Sequence, residues 1–84
     1  MNPAEQLKQD LKRATPLMGV EVNIKKLRKG ELKKIYLAHN CKEKETIKTY
    51  AQESGVELIE LEQNNVEVGV LCKKPFSISV LGFE

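Results

Sequence analysis

The sequence predicts a small α/β domain built in layers. Segments with apolar residues at helical spacing alternate with short apolar runs that read as strands. Punctuating residues (Pro16, Gly30, Gly55 and Pro75) stand between them. Such alternation is the pattern of helices packed on a sheet. The 84 residues suit a single domain spanning the whole chain, 1–84.

Asn2 is placed to cap a first helix, with Pro3 at its first position. Ala4, Leu7, Leu11 and Ala14 follow at helical spacing, and Pro16 ends the segment. Leu17 and Met18 form a very short strand or extended arm before Gly19. Val20, Ile24 and Leu27 share one face of a second helix, and Gly30 stands where a helix stop is expected. Ile35 to Ala38 reads as a short buried strand, ended by the polar pair His39 and Asn40. Lys42 to Ser54 reads as a helix with Ile47, Tyr50, Ala51 and Ser54 on one side and Gly55 at its end. Val56, Leu58, Ile59 and Leu61 make the next strand.

Two readings compete for the segment that follows. Val66, Val68 and Val70 alternate, which favours a strand. Asn64 or Asn65 is also placed to cap a short helix containing Val68, Leu71 and Cys72, a helix its β-branched residues would weaken. Pro75 then breaks the chain, and Phe76 to Phe83 is expected as the last strand.

The bulk numbers narrow the class of function. A chain this short hides only about 60% of its unfolded surface, so modest stability is expected. Cys41 and Cys72 make at most one disulfide, unlike a secreted disulfide framework. No apolar run is long enough for a membrane span, and the segment from Met1 to Glu5 lacks the apolar core of a signal peptide. A cytoplasmic protein is the expectation. The net charge is only +2, but it is unevenly spread. Lys25, Lys26, Arg28, Lys29, Lys33 and Lys34 crowd one segment that holds a single acid, Glu31. From Glu53 to Glu67 there are acids and no Lys or Arg. A basic face on a nearly neutral protein fits a polyanion; a solvated helix face is the bland alternative.

Enzymatic and metal chemistry find little footing. His39 and Cys41 are two apart and Cys72 is distant, short of the four ligands a zinc site wants. A Cys–His nucleophile pair would have one histidine and no evident group to orient it. Cys72 reads as a small core residue and Cys41 as the start of a helix. No phosphate-loop glycine pattern occurs, and no Glu spacing demands acid–base work. No cofactor, membrane or small-molecule substrate is expected.

The order and spacing of three junctions carry a resemblance. They are Met18-Gly19 ahead of a basic helix, His39-Asn40 after the central strand, and the run from Asn64 through the Lys73-Lys74-Pro75-Phe76 corner. Together they resemble the L-thirty-e branch of the L-seven-Ae kink-turn-binding superfamily of ribosomal proteins, over almost the whole chain. The resemblance implies a three-layer α/β/α sandwich with a small mixed sheet of about four strands. It favours the helix reading after Asn64. It implies recognition of a kink-turn, an RNA helix bent sharply at an internal loop.

By that resemblance, three loops touch RNA. The first is Met18 and Gly19 with the helix start at Glu21, Val22 and Asn23. The second is His39 and Asn40. The third runs through Asn64, Asn65, Glu67 and Gly69 and continues at Lys74, Phe76 and Ile78. Two departures stand out. Glu21-Val22 occupies the place where many members carry an Asn-Glu pair and this branch often has Lys nearby. Lys73 stands where relatives commonly have glycine.

The chemistry suits that role. A glycine lets RNA approach the backbone closely, and a helix start offers free N–H groups and partial positive charge. Lys25 and Lys26 would add salt-sensitive phosphate contacts. Amides donate and accept at once, and Phe76 with Ile78 offers an apolar platform to a splayed base. Each assignment has a plainer counterpart: core packing for Phe76, turn or cap roles for the amides, an ordinary turn for Gly19. Gly30 and Gly55 read as helix stops. The expected function is a structural, archaeal-type RNA-binding protein of the large ribosomal subunit, cytoplasmic and ribosome-associated. Its partners would be ribosomal RNA or another kink-turn RNA, with neighbouring ribosomal proteins beside it. The alternatives are a kink-turn binder in a non-ribosomal ribonucleoprotein, and a protein-interaction module docking through the acidic 53–67 region or a sheet edge.

Overall fold

The structure, a computed structural model, describes residues 2–84. In chain order the elements are α1 (Pro3–Arg13), β1 (Leu17–Met18), α2 (Val20–Arg28), β2 (Lys34–Leu37), α3 (Lys44–Ser54), β3 (Glu57–Glu60), α4 (Asn65–Leu71) and β4 (Val80–Phe83). The four strands form one mixed sheet in the order β1-β4-β2-β3. β2 and β3 run parallel, joined by α3, and β4 is antiparallel to both of its neighbours.

Alternation along β2 divides the interior in two. Ile35 and Leu37 face one side, where Leu27 of α2 and Ile47 and Ala51 of α3 complete a buried cluster with Val80. Tyr36 and Ala38 face the other side, against Leu7 of α1, Val68 of α4 and Leu81 and Phe83 of β4. The result is the expected three-layer α/β/α sandwich, with α2 and α3 on one face and α1 and α4 on the other. Tyr36 and Phe83 meet edge to face, ring centres 5.8 Å apart. The Tyr36 hydroxyl donates to Asp10 on α1, and Lys34 Nζ lies 2.9 Å from the same carboxylate.

The helix boundaries follow local chemistry. Asn2 Oδ1 accepts the Glu5 N–H at 2.9 Å, and Pro3 takes the first helical position. α1 stops at Arg13, one residue short of the expected Ala14, which is extended and exposed. The chain is already straightening towards Pro16, which disfavours helical geometry in the residue before it. α2 and α4 end in the same hydrogen-bonded motif. After α2, Gly30 N–H reaches the Leu27 carbonyl and Glu31 N–H the Lys26 carbonyl, both at 3.0 Å. After α4, Lys73 N–H reaches Val70 at 3.0 Å and Lys74 N–H reaches Gly69 at 2.9 Å. The motif needs one left-handed residue. Gly30 fills that place with φ +70°, and Lys73 fills it with φ +58°.

Of the two readings after Asn64 the helix, which the resemblance favours, is the one that forms, and one expectation, the start of the last strand, is corrected. The valine alternation after Asn64 does not make a strand. Asn64 Oδ1 accepts the Glu67 N–H at 2.9 Å, and the Glu67 carboxylate accepts the Asn64 N–H at 3.1 Å. This reciprocal box starts a helix, and Val68 turns inward while Val66 and Val70 stay exposed. The last strand begins at Val80, not Phe76. Residues 76–79 instead cross the end of α4, where Ile78 N–H donates to the Asn65 carbonyl at 2.9 Å. Gly69 makes this crossing possible: a Cβ there would lie 2.1 Å from the Phe76 carbonyl oxygen.

A candidate nucleic-acid interface

The topology gathers the three junctions at one end of the sheet. β1 and β2 are each antiparallel to β4, and β3 is parallel to β2. The carboxyl ends of β1, β2 and β3 and the amino end of β4 therefore share one edge. Met18-Gly19, His39-Asn40, Asn64-Asn65 and Phe76–Ser79 all leave the sheet there. Backbone hydrogen bonds lace the edge together. Gly19 N–H donates to Val80 at 3.3 Å, Ala38 N–H to Ser79 at 2.9 Å, and His39 N–H to Gln63 at 2.8 Å.

Gly19 has φ +116°, a conformation that only glycine adopts readily, and it caps α2 without a side-chain hydrogen bond. Asn23 holds this turn from beneath. It is fully buried, and its Nδ2 donates to the Gly19 carbonyl at 2.6 Å and the Leu17 carbonyl at 2.9 Å. Its Oδ1 has no hydrogen-bond partner among the described residues and points at Gly82, where a Cβ would lie 1.9 Å away. Asn23 thus acts as an internal brace. Glu21 and Val22 are exposed in the first turn of α2. Glu21 there complements the positive helix end, which opposes rather than aids a phosphate contact.

Three asparagines lie on the second and third loops, each with its own role. Asn64 is the α4 cap described above. Asn40 is exposed, and among the described residues its side chain bonds only to Asn65: its Nδ2 donates to Asn65 Oδ1 at 3.0 Å, and its Oδ1 accepts the Asn65 N–H at 2.8 Å. The Asn65 Nδ2 has no hydrogen-bond partner among the described residues. His39 is exposed beside them.

Phe76 is the prominent apolar feature of this edge. It is 54% exposed, which sets aside core packing for most of its ring. It stands across a cleft of about 310 Å³ from Met18, Gly19 and Val20, with Ser77 and Ser79 lining the same cleft. Ile78, also at the cleft, is 3% exposed and belongs to the core behind it. The serines escaped the sequence reading; their signal was their alternation with Phe76 and Ile78. Gly82 escaped it too, although a glycine within an apolar strand marks a close backbone approach.

The basic residues separate into paired and free sets. Lys26 faces the carboxylates of Glu31 at 3.5 Å and Glu84 at 3.3 Å, away from the cleft's chemistry. Lys25, Arg28 and Lys29 line an open surface together and form no ion pair among the described residues. Lys74 is exposed at the corner before Phe76. In the acidic region, Glu60 is taken by Lys48 and, at 3.8 Å, by Lys44.

Among the described residues no three His, Cys, Asp or Glu side chains form a metal-holding group, and no helix is long and apolar enough to cross a membrane. Burial pushes the Cys41 and Cys72 thiols up, away from the reactive thiolate.

Comparison with known proteins finds relatives along most of the chain. Three archaeal relatives, each named large ribosomal subunit protein eL30, are similar along most of the chain. The Archaeoglobus fulgidus protein is 38% identical over 66 residues, covering 76% of this chain and 72% of the relative. The Methanosarcina mazei protein is 31% identical over 81 residues, covering 96% and 77%. The Sulfurisphaera tokodaii protein is 30% identical over 79 residues, covering 92% and 74%. The described family is one of ribosomal proteins, and the reading of the chain as a non-enzyme agrees with it. With a match that extends over residues 1–84, the chain belongs to the Ribosomal protein L7Ae/L30e/S12e/Gadd45 family.

Proposed function

We propose that this chain is a structural RNA-binding protein of the large ribosomal subunit that recognises and stabilises a kink-turn or a related internal loop. The observation that carries the reading is the exposed Phe76 ring, set across a cleft from Gly19 at the edge where all three loops meet. An exposed aromatic facing a glycine turn suits an unstacked base with its backbone close by. Asn65 Nδ2, held in place by Asn40, supplies a donor beside it. Lys25 and Lys74 supply charge for phosphates. Asn23 and Ile78 support the edge from within.

The mechanism is a shift of population. The protein binds bent RNA more tightly than extended RNA, and the difference in affinity holds the bend. The names of the relatives favour ribosomal RNA, with neighbouring ribosomal proteins as further partners, over a separate ribonucleoprotein. Docking through the acidic region finds less support, because Glu60 is occupied by Lys44 and Lys48.

Phe76→Ala tests the reading. Titration of a labelled kink-turn RNA should show affinity weakened by roughly 1–3 kcal/mol, the range for one stacked base. The thermal melt should barely move. A folded variant with unchanged affinity would remove Phe76 from the interface.

A further inference from the structure

A second surface adjoins the Phe76 cleft, and of its lining the three loops account only for Met18 and Lys74. A groove of about 580 Å³ runs between the carboxyl end of α1 and the carboxyl end of α4. Its floor is apolar, made by Leu11, Met18, Leu71 and Cys72. Its rim carries Lys8, Lys12, Lys73 and Lys74, and no acidic residue lines it. All four lysines are exposed, and none forms an ion pair among the described residues. Elsewhere Lys26, Lys34, Lys44 and Lys48 are each matched to a carboxylate, whereas Lys25, Arg28 and Lys29 form a second unmatched group with no apolar floor.

The groove is continuous with the cleft. Met18 lines both, and the chain passes from Lys74 on the groove's rim to Phe76 in the cleft within two residues. We infer that the groove takes a single-stranded stretch of the same RNA, leading away from the base held at Phe76. Phosphates lie on the lysine rim, and a base or ribose rests on the Leu11–Met18 floor. An apolar platform inside a ring of unmatched cations is the general form of a single-strand site. The inference rests on the proposed function. It adds α1 to the interface, a helix that no RNA assignment above includes.

Lys12, Lys73 and Lys74 also suit the negative ends of two helices, a purely structural role. That role moves stability, whereas RNA contact moves affinity. The test therefore uses one kink-turn RNA in two forms, blunt and with an unpaired tail of about eight nucleotides, within the usual site size of such grooves. Tails are placed on each strand end in turn. The full-length protein should bind one tailed RNA roughly fivefold to tenfold more tightly than the blunt one, with a steeper salt dependence. Lys8→Gln/Lys12→Gln should erase that gain, lower the salt slope by up to about 0.7 for each lost contact, and leave blunt RNA and the melting temperature unchanged. If no tail improves binding, or if the double variant keeps the gain, the inference is overturned. If a Glu- and Leu-rich peptide binds the wild type but not the double variant while tails change nothing, the groove faces protein, which also overturns it. Failure of blunt RNA to bind at all would strike at the proposed function instead.

Discussion

Asn40 spends both ends of its side-chain amide on one residue, Asn65, bonding its side chain at 3.0 Å and its backbone N–H at 2.8 Å. The loop after β2 is thereby clamped to the first turn of α4. Among the described residues, the Asn64 side chain, next to Asn65, bonds only within its own helix start. Two adjacent amides thus have separable roles.

Asn64→Ala should remove a helix cap and destabilise the fold by about 1 kcal/mol, the usual worth of such a cap. The ratio of affinities for bent and straight RNA should stay the same. Asn40→Ala should do the opposite. Its exposed bonds contribute little to the fold, but releasing Asn65 should lower the ratio. Thermal melts paired with RNA titrations separate the two.

Lys73 sits in a left-handed conformation that costs an L-residue about 1–2 kcal/mol. Lys73→Gly should therefore stabilise the fold by roughly 0.5–1 kcal/mol, part of the relief being offset by the freer unfolded chain. Gly69→Ala should have the opposite sign. Its Cβ would strike the Phe76 carbonyl, and relief requires moving the corner, so a loss of about 1–3 kcal/mol is expected. Denaturant melts of the two variants check both signs.

These positions show what sequence reading reaches and where it stops. Helix caps and stops are local, so Asn2, Gly30 and Gly55 were legible. The two-sided burial of β2 was legible as a short apolar run. The start of β4 was not, because Phe76 to Ser79 carries strand-like alternation but is drawn across α4 by a contact that depends on Gly69, far from any local signal. The direction of Asn23 was equally hidden. Its helix position alone does not reveal that Gly82, distant in sequence, leaves room for it to turn inward.

The two lysines at the start of the basic run should behave differently. Lys25→Gln should flatten the dependence of log affinity on log salt by up to about 0.9 if it meets one phosphate. Lys26→Gln should leave that slope alone, because Lys26 already faces Glu31 and Glu84. Binding isotherms at several salt concentrations distinguish them. Equal changes in slope would show that the Lys26 ion pairs open on binding.

The Asp10–Tyr36–Lys34 cluster predicts a pH dependence of stability. Burial pulls the Asp10 carboxyl up, but hydrogen bonds from Tyr36 and Lys34 outweigh it and leave it below the ordinary value. A carboxylate lowered on folding stabilises above its unfolded value, about 3.9, and loses that contribution as pH falls through the folded value. Burial and the Asp10 hydrogen bond raise the Tyr36 hydroxyl, so its contribution is present below its unfolded value, about 10, and fades as pH rises through the folded one. Denaturation followed from pH 7 in both directions should show both losses. Asp10→Asn should lower stability at pH 7 and flatten the acid limb.

The central claim is that this edge selects bent RNA, and one comparison tests it most directly. Wild-type protein is titrated into a labelled kink-turn RNA and into a straight duplex of equal length and charge, at the same salt concentration. The account predicts saturable binding to the kink-turn at least tenfold tighter than to the duplex, a difference of about 1.4 kcal/mol. Equal, weak and salt-sensitive binding to both would mean that the protein offers RNA only a basic surface, and would contradict it.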